Sequence, residues 1–197
     1  MRVELDSYRN ENKEIKKYVS YLENKIDQLE RNTKTCEVEI RGIPKALEVE
    51  TTQDLHHYFE KICTTVGVNI NQDKIKNIYR INTKNQSNMP LIIDFTNIDC
   101  KQDLLAGVKK YNYQYPANRL NTKHLHANGP VNHIFISESL TPKARKNFRL
   151  ARDFAAKNNY KFCWTSRGMI FLREKEGSKI IKIQSEADLN ISCTSTK

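Results

Sequence analysis

The octapeptide CEVEIRGI, Cys36–Ile43, alternates in the manner of a half-buried strand. Val38 and Ile40, with Cys36 at the margin, fall on one face, and Glu37, Glu39 and Arg41 fall on the other. Downstream, residues 52–66 carry a helical stripe of Leu55, Phe59, Ile62 and Val66, closed by Gly67. "IKNIYRI" (75–81) and "PLIIDF" (90–95) read as two further strands. "NIDCKQDLLAGVKK" (97–110) reads as a second helix, with Asn97 or Asp99 as its cap.

The order β-α-β-β-α over about 75 residues is the front of a ferredoxin-like, RRM-type domain, assigned to residues 36–112. A fourth strand is expected after the second helix, in "YNYQYPANRLN" (111–121), where the pattern is weak. On the solvent side of the two central strands the sequence places Glu39 and Arg41, then Ile92 and Asp94. A domain of this type stacks RNA bases on aromatics at such positions. Here two acids stand there instead, and only Arg41 and Arg80 remain as backbone-contact candidates.

Upstream, residues 1–34 form a heptad helix. Leu5, Asn12, Val19 and Ile26 occupy position a, and Tyr8, Ile15, Leu22 and Leu29 occupy position d. Seven of these eight are apolar or aromatic, the signature of a coiled coil rather than a general amphipathic helix. β-Branched residues at a with leucine at d favour a parallel dimer, as does the single seam asparagine; a trimer is the alternative. The g–e′ pairs Glu4–Arg9, Glu11–Lys16 and Lys25–Glu30 are oppositely charged, and Tyr18–Glu23 is neutral toward pairing. The pattern is already running at Leu5 without an N-cap, so we expect a natural start further upstream and an engineered Met1.

Downstream, an Asn-rich connector (113–130) leads to a domain over 131–190 and a polar tail, 191–197. "HIFISESL" (133–140) reads as a strand, with Thr141 as N-cap and Pro142 at the first helical position. A helix to about Asn158, a hairpin around "TSRG" (165–168) and a last strand "KIIKI" (179–183) complete a β-α-β-β-β unit. The fold class is therefore α+β: a coiled-coil helix, an RRM-like domain and a small C-terminal domain.

Charge is segregated along this order. The chain carries 33 basic and 23 acidic side chains, net +10. Residues 1–35 are net +1, residues 36–112 are neutral, and residues 113–197 are net +9. Uniform basicity serves solubility, whereas segregated basicity marks a surface for a polyanion.

Within "TPKARKNFRLAR" (141–152), Arg145, Arg149 and Arg152 fall within 60° of one another on a helical wheel of 100° per residue. Ala144, Phe148, Ala151 and Ala155 fall on the adjoining arc and face the core. Like charges at i,i+4 cost roughly 0.2–0.5 kcal/mol per pair. Lys143, Arg145 and Lys146 also oppose the positive end of the helix dipole. Local stability gives no reason for this arrangement; a phosphate backbone does, and the helix N-terminus offers further N–H donors. Lys161, Arg167, Arg173, Lys175, Lys179 and Lys182 extend the surface onto the hairpin and last strand. Phe162, Trp164 and Phe171 are read as core in preference to base-stacking groups.

The apolar runs are strand-length, well short of the roughly 20 residues a spanning helix needs, and the N-terminus lacks a secretory core. Two sequons, at Asn85 and Asn190, carry little meaning without a secretory route. Five scattered cysteines without a CxxC pair give neither a disulfide framework nor a zinc site, and "HLH" (124–126) has no partner cysteines. A reducing, intracellular compartment is expected. No Gly-rich phosphate loop, metal-ligand cluster or nucleophile elbow is present, so neither an enzyme nor a cofactor is expected.

The order coiled coil, RRM-like domain, basic C-terminal domain resembles the first-open-reading-frame RNA-binding proteins of LINE-type retrotransposons. "VEIRGIP", "KICTTVGV", "IKNIYRI", "GPVNHIFISESLTPKARKNFRLAR" and "YKFCWTSRGMIFLREKE" are similar to a viral branch of that group, the few-polyhedra proteins of baculoviruses. The resemblance covers nearly the whole chain, and its shortness and lack of a zinc knuckle favour the viral branch.

The resemblance implies a non-enzymatic protein of the host cytoplasm and nucleus that associates with virion nucleocapsids. It further implies a role in occlusion-body formation and in the shift from budded to occluded virus. The retrotransposon branch implies oligomers that bind single-stranded nucleic acid, as chaperones, through basic residues between the globular domains. Those relatives are trimers, in contrast to the dimer favoured by the heptads here. A coiled-coil adaptor or virion component whose basic face meets an acidic protein or membrane surface is the competing reading.

Overall fold

A single unbroken helix, α1 (Arg2–Thr33), opens the chain, and the segment Cys36–Ile43 then yields strand β1 (Glu37–Arg41). The computed structural model describes residues 2–45, 50–82, 89–125 and 131–189. Both sequons, His126, Cys193 and the 191–197 tail lie outside the described residues. The remaining elements are α2 (Thr52–Val66), β2 (Ile75–Arg80), β3 (Leu91–Phe95), α3 (Ile98–Gln114), β4 (Phe135–Glu138), α4 (Pro142–Lys157), β5 (Phe162–Ser166), β6 (Met169–Arg173) and β7 (Ile181–Ile183). The architecture is mixed helix and antiparallel sheet. The chain divides into two compact units: Thr35–Ser139 with Thr165–Arg167, and Met1–Lys34 with Leu140–Trp164 and Gly168–Lys197.

The first of these units is a four-stranded sheet in the order β2-β3-β1-β4, with each neighbouring pair antiparallel. Val38, Ile40, Leu91 and Ile93 lie on the buried side with Leu55, Phe59 and Ile62 of α2 and Leu104 and Val108 of α3. Both helices start where their caps dictate. The Thr51 side chain accepts from Asp54 N–H in a reciprocal capping box, and Asn97 accepts from Cys100 N–H. Gly67, left-handed at φ 71°, ends α2. Gly42 is needed for a second reason: a Cβ there would lie 2.1 Å from the His133 carbonyl oxygen.

The fourth strand is not where the sequence suggested. Residues 111–114 continue α3, because Tyr111 extends its apolar stripe one turn beyond Val108 and its hydroxyl lies 3.0 Å from His124 Nε2. The strand is instead β4, whose Phe135–Glu138 pair antiparallel with Arg41–Val38. Within the described part of the connector, Leu120 and Leu125 are core residues of this unit.

The place of β4 in the first sheet corrects the expected β-α-β-β-β arrangement. Beyond Leu140 the chain forms α4 and a separate sheet, β5-β6-β7. Ala151 and Ala155 of α4 pack against Ile170 and Leu172 of β6, Ile183 of β7 and Leu189. Alanine on the helix side lets α4 approach closely, so a short sheet is buried on one face by one helix.

Candidate nucleic-acid interface

Thr141 caps α4 with backbone angles of −62° and 158°, its Oγ1 accepting from Ala144 N–H, and Pro142 comes next in the first turn. Ala144, Ala151 and Ala155 are buried. Phe148 is half-buried beside them, and Arg145, Arg149 and Arg152 are exposed on one flank of the helix. The seven-residue step from Arg145 to Arg152, at roughly 1.5 Å per residue, makes this ridge about 10 Å long. The Arg152 guanidinium lies 6.0 Å from the centroid of the Phe148 ring. Lys146 is exposed, and Lys143 Nζ donates to Asn24 Oδ1 at 2.7 Å.

The capping residue of α4 is itself bonded to an anion that the chain supplies. Asp27 of α1 is 8% exposed, and its Oδ1 accepts a 2.5 Å hydrogen bond from the Thr141 hydroxyl. Arg31, one turn on, pairs with the same carboxylate. Thr141 also occupies Ala144 N–H with its side chain and Arg145 N–H with its carbonyl. Asp27 thus places a carboxylate on the capping residue itself, and its charge offsets the three cations crowding the helix start. Sequence reasoning missed this. Asn24, Asp27 and Arg31 occupy heptad positions f, b and f, which read from sequence alone as a solvated face.

The seam lies on the other side of α1. Leu5, Tyr8, Ile15, Val19, Leu22, Ile26 and Leu29 are all exposed, from 39% at Leu22 to 65% at Tyr8. The Asn12 amide donates to the Tyr8 carbonyl at 3.1 Å. α1 thus meets its own unit with polar b and f residues and leaves the apolar a/d stripe outward. A helix packed on its own domain through its apolar face, the ordinary alternative to a coiled coil, is not what these side chains do.

The two candidates in the other unit are placed differently. Arg80 is enclosed, its side chain 6% exposed. Nε and Nη2 donate to the two Glu50 carboxylate oxygens at 2.6 and 2.8 Å. The remaining bonds go to the carbonyls of Ile43, Met89 and Pro44. All five guanidinium N–H groups are used, which makes Arg80 a structural residue. Next to this pair, burial and then the Glu50 charge push the Tyr58 hydroxyl upward. Arg41 is half-exposed and bonded through Nε to Glu39 at 2.7 Å. Glu39 and Ile92, expected to face solvent, are 2% and 0% exposed, so these two positions are neither aromatic nor open. Lys101 is a buried cation that the sequence did not flag: Nζ donates to the Thr35 carbonyl at 2.8 Å and pairs with Glu138 at 3.4 Å.

On the hairpin, Arg167 and Gly168 form a two-residue turn with φ of 52° and 69°, the left-handed pair that matches strand twist. Arg167, Lys175, Lys179 and Lys182 are exposed, and Lys161 is held by Glu176 at 2.7 Å. Phe162, Trp164 and Phe171 are half-buried and stand outside the core cluster of their unit, contrary to expectation. Arg173 joins them, with its guanidinium carbon 4.5 Å from the centroid of the Phe162 ring. Cys163 points to the α4 side, where burial pushes its thiol up to about 11 against the lowering influence of Arg152. Cys36, Cys63, Cys100 and Cys163 are free thiols.

Of the expected contacts, the structure brings Arg145, Arg149 and Arg152 together on α4, and Lys161 and Arg173 together around Phe162. Arg41 and Arg80 belong to the other unit, the second of them as a core ion pair. Among the described residues no cluster of His, Cys, Asp and Glu has the makings of a metal site, and no helix is long and apolar enough to cross a membrane. No curated protein matches the chain. Residues 141–191, the segment that begins at the α4 cap and carries the arginine ridge and the β5-β6-β7 sheet, match the family model of the baculovirus FP protein domain 2.

Proposed function

We propose that this chain is a baculovirus few-polyhedra protein that binds single-stranded nucleic acid without catalysing a reaction. The observation that carries this reading is the exposed ridge Arg145–Arg149–Arg152, lying within the segment that matches the FP family model. The exposed a/d stripe of α1 supports a parallel coiled-coil homodimer, with a trimer as the alternative. The sheet order β2-β3-β1-β4 supports a ferredoxin-like, RRM-type reading of residues 35–139. Several copies of a modest basic surface on one oligomer give affinity through avidity. Binding is then backbone-driven, weakly sequence-selective and sensitive to salt. On this reading the protein acts in the infected host cell, on nucleocapsids, in the switch toward occluded virus.

The test is a titration of single-stranded RNA and DNA over a salt series, with Arg145, Arg149 and Arg152 changed together to Glu. The log–log salt slope falls by about 2 for each copy engaged, since each single-strand phosphate contact contributes roughly 0.7. A triple variant that binds as tightly as the parent, with the same slope, removes the ridge from the interface. Absence of binding by the parent leaves an adaptor that meets acidic proteins.

A further inference from the structure

The β5-β6-β7 sheet has two faces, and α4 covers only one. Ile170 and Leu172 point toward α4 with their register partners Ile183 and Ile181. Alternation therefore sends Phe171 to the opposite face, directly across from Lys182. Trp164 lies on that same face, its ring 5.7 Å from Phe171 and inclined by 25°. Phe162 continues the row two residues before Trp164. Over its ring stand the Arg173 guanidinium at 4.5 Å and the Lys161 ammonium at 5.3 Å. Three aromatic rings, none of them in the core cluster, are thus bordered by Lys161, Arg173 and Lys182. Arg173 Nε is buried there without a hydrogen-bond partner, so this cation is held against a ring rather than by a carboxylate at that atom.

We infer that this outer face is a base-stacking site for single-stranded nucleic acid, separate from the arginine ridge. Flat rings combined with cations fit a chain that alternates planar bases with phosphates. Unpaired bases are required, because a duplex hides its base faces. An acidic peptide would use the cations and leave the rings idle, and an apolar protein surface would strand Arg173 and Lys182. The inference rests on the proposed nucleic-acid binding but places the bases on residues that the ridge does not include. α4 then contacts phosphate, while the far side of the same sheet holds bases.

Trp164 is the only tryptophan of the chain, so its fluorescence reports on this face alone. The probe is an oligouridylate about 20 nucleotides long, longer than the roughly 4–16 nucleotides of a typical single-strand site. The expected result is saturable quenching of Trp164 by this probe in the parent protein, and little quenching by a duplex of equal length. Phe171→Leu and Trp164→Leu, each assayed by anisotropy of labelled probe, weaken binding about ten-fold. Their salt slope stays unchanged because ring contacts release no counterions, and Trp164→Phe restores most of the affinity. Thermal melts that match the parent exclude unfolding as the cause.

A parent that binds the probe with silent Trp164 emission, together with Phe171→Leu binding as tightly as the parent, overturns the stacking site while the ridge stands. A variant whose salt slope drops with its affinity also overturns it, since that marks a lost phosphate contact. A parent that binds no single strand overturns both readings.

Discussion

Arg80 and Asp27 show how much one buried charge depends on its partners. Arg80 satisfies every guanidinium N–H inside the protein, and Glu50 is 5% exposed beside it. Replacing Arg80 by Ala leaves a carboxylate and three carbonyls without donors, at a cost of about 3–5 kcal/mol. Urea unfolding measures that loss, while affinity for single strands, per folded molecule, is unchanged. A double replacement, Arg80→Met with Glu50→Leu, costs less than Arg80→Ala alone, because no charge is then stranded. Asp27 is the comparable residue in the other unit. Asp27→Ala removes the acceptor of the Thr141 hydroxyl and an ion-pair partner of Arg31, for a loss of about 2–3 kcal/mol. Asp27→Asn keeps an acceptor for Thr141 and loses less.

Among the elements, α1 and α4 each have two working sides. α1 meets its own unit through Asn24, Asp27 and Arg31 and keeps the a/d stripe outward. α4 buries Ala144, Ala151 and Ala155 and exposes its arginines. The two faces of α1 separate experimentally. Asp27→Ala lowers stability and leaves the particle mass from light scattering unchanged, because position b is off the proposed seam. Val19→Glu with Leu22→Glu introduces like charges at the seam, and the expected mass is that of a monomer with the melting of the α4 and β5-β6-β7 part preserved. A double-glutamate variant that keeps the parent mass would remove the coiled coil from the assembly.

For a protein assembled through α1, as proposed, the consequence is avidity. A monomeric Val19→Glu, Leu22→Glu variant retains both the ridge and the aromatic face, so its intrinsic contacts are intact. Its affinity for a long single strand falls by about 10²–10⁴, while its affinity for a strand too short to bridge two copies changes little. Comparing the two strand lengths by anisotropy separates lost avidity from damaged binding surfaces. Equal losses on both would locate the defect in the surface itself.

Periodicity made several features readable from the chain alone. Thr141 and Pro142 announced the start of α4, Gly67 the end of α2, and the 100° wheel the arginine ridge, because each depends on neighbours within one or two turns. The heptads of α1 were equally plain. Long-range pairing was not. β4 joined the first sheet because the free edge of β1 accepted it, and nothing in Phe135–Glu138 names that partner. The α4 cap gained a carboxylate partner from 114 positions away, Asp27, which only folding brings to Thr141. Phe162, Trp164 and Phe171 alternate in the same way whether a strand face is covered or open. Which face α4 would bury was therefore settled by the packing of Ile170, Leu172 and Ile183. Local order comes from backbone geometry and side-chain spacing, whereas partners distant in the chain are selected by burial summed over the whole fold.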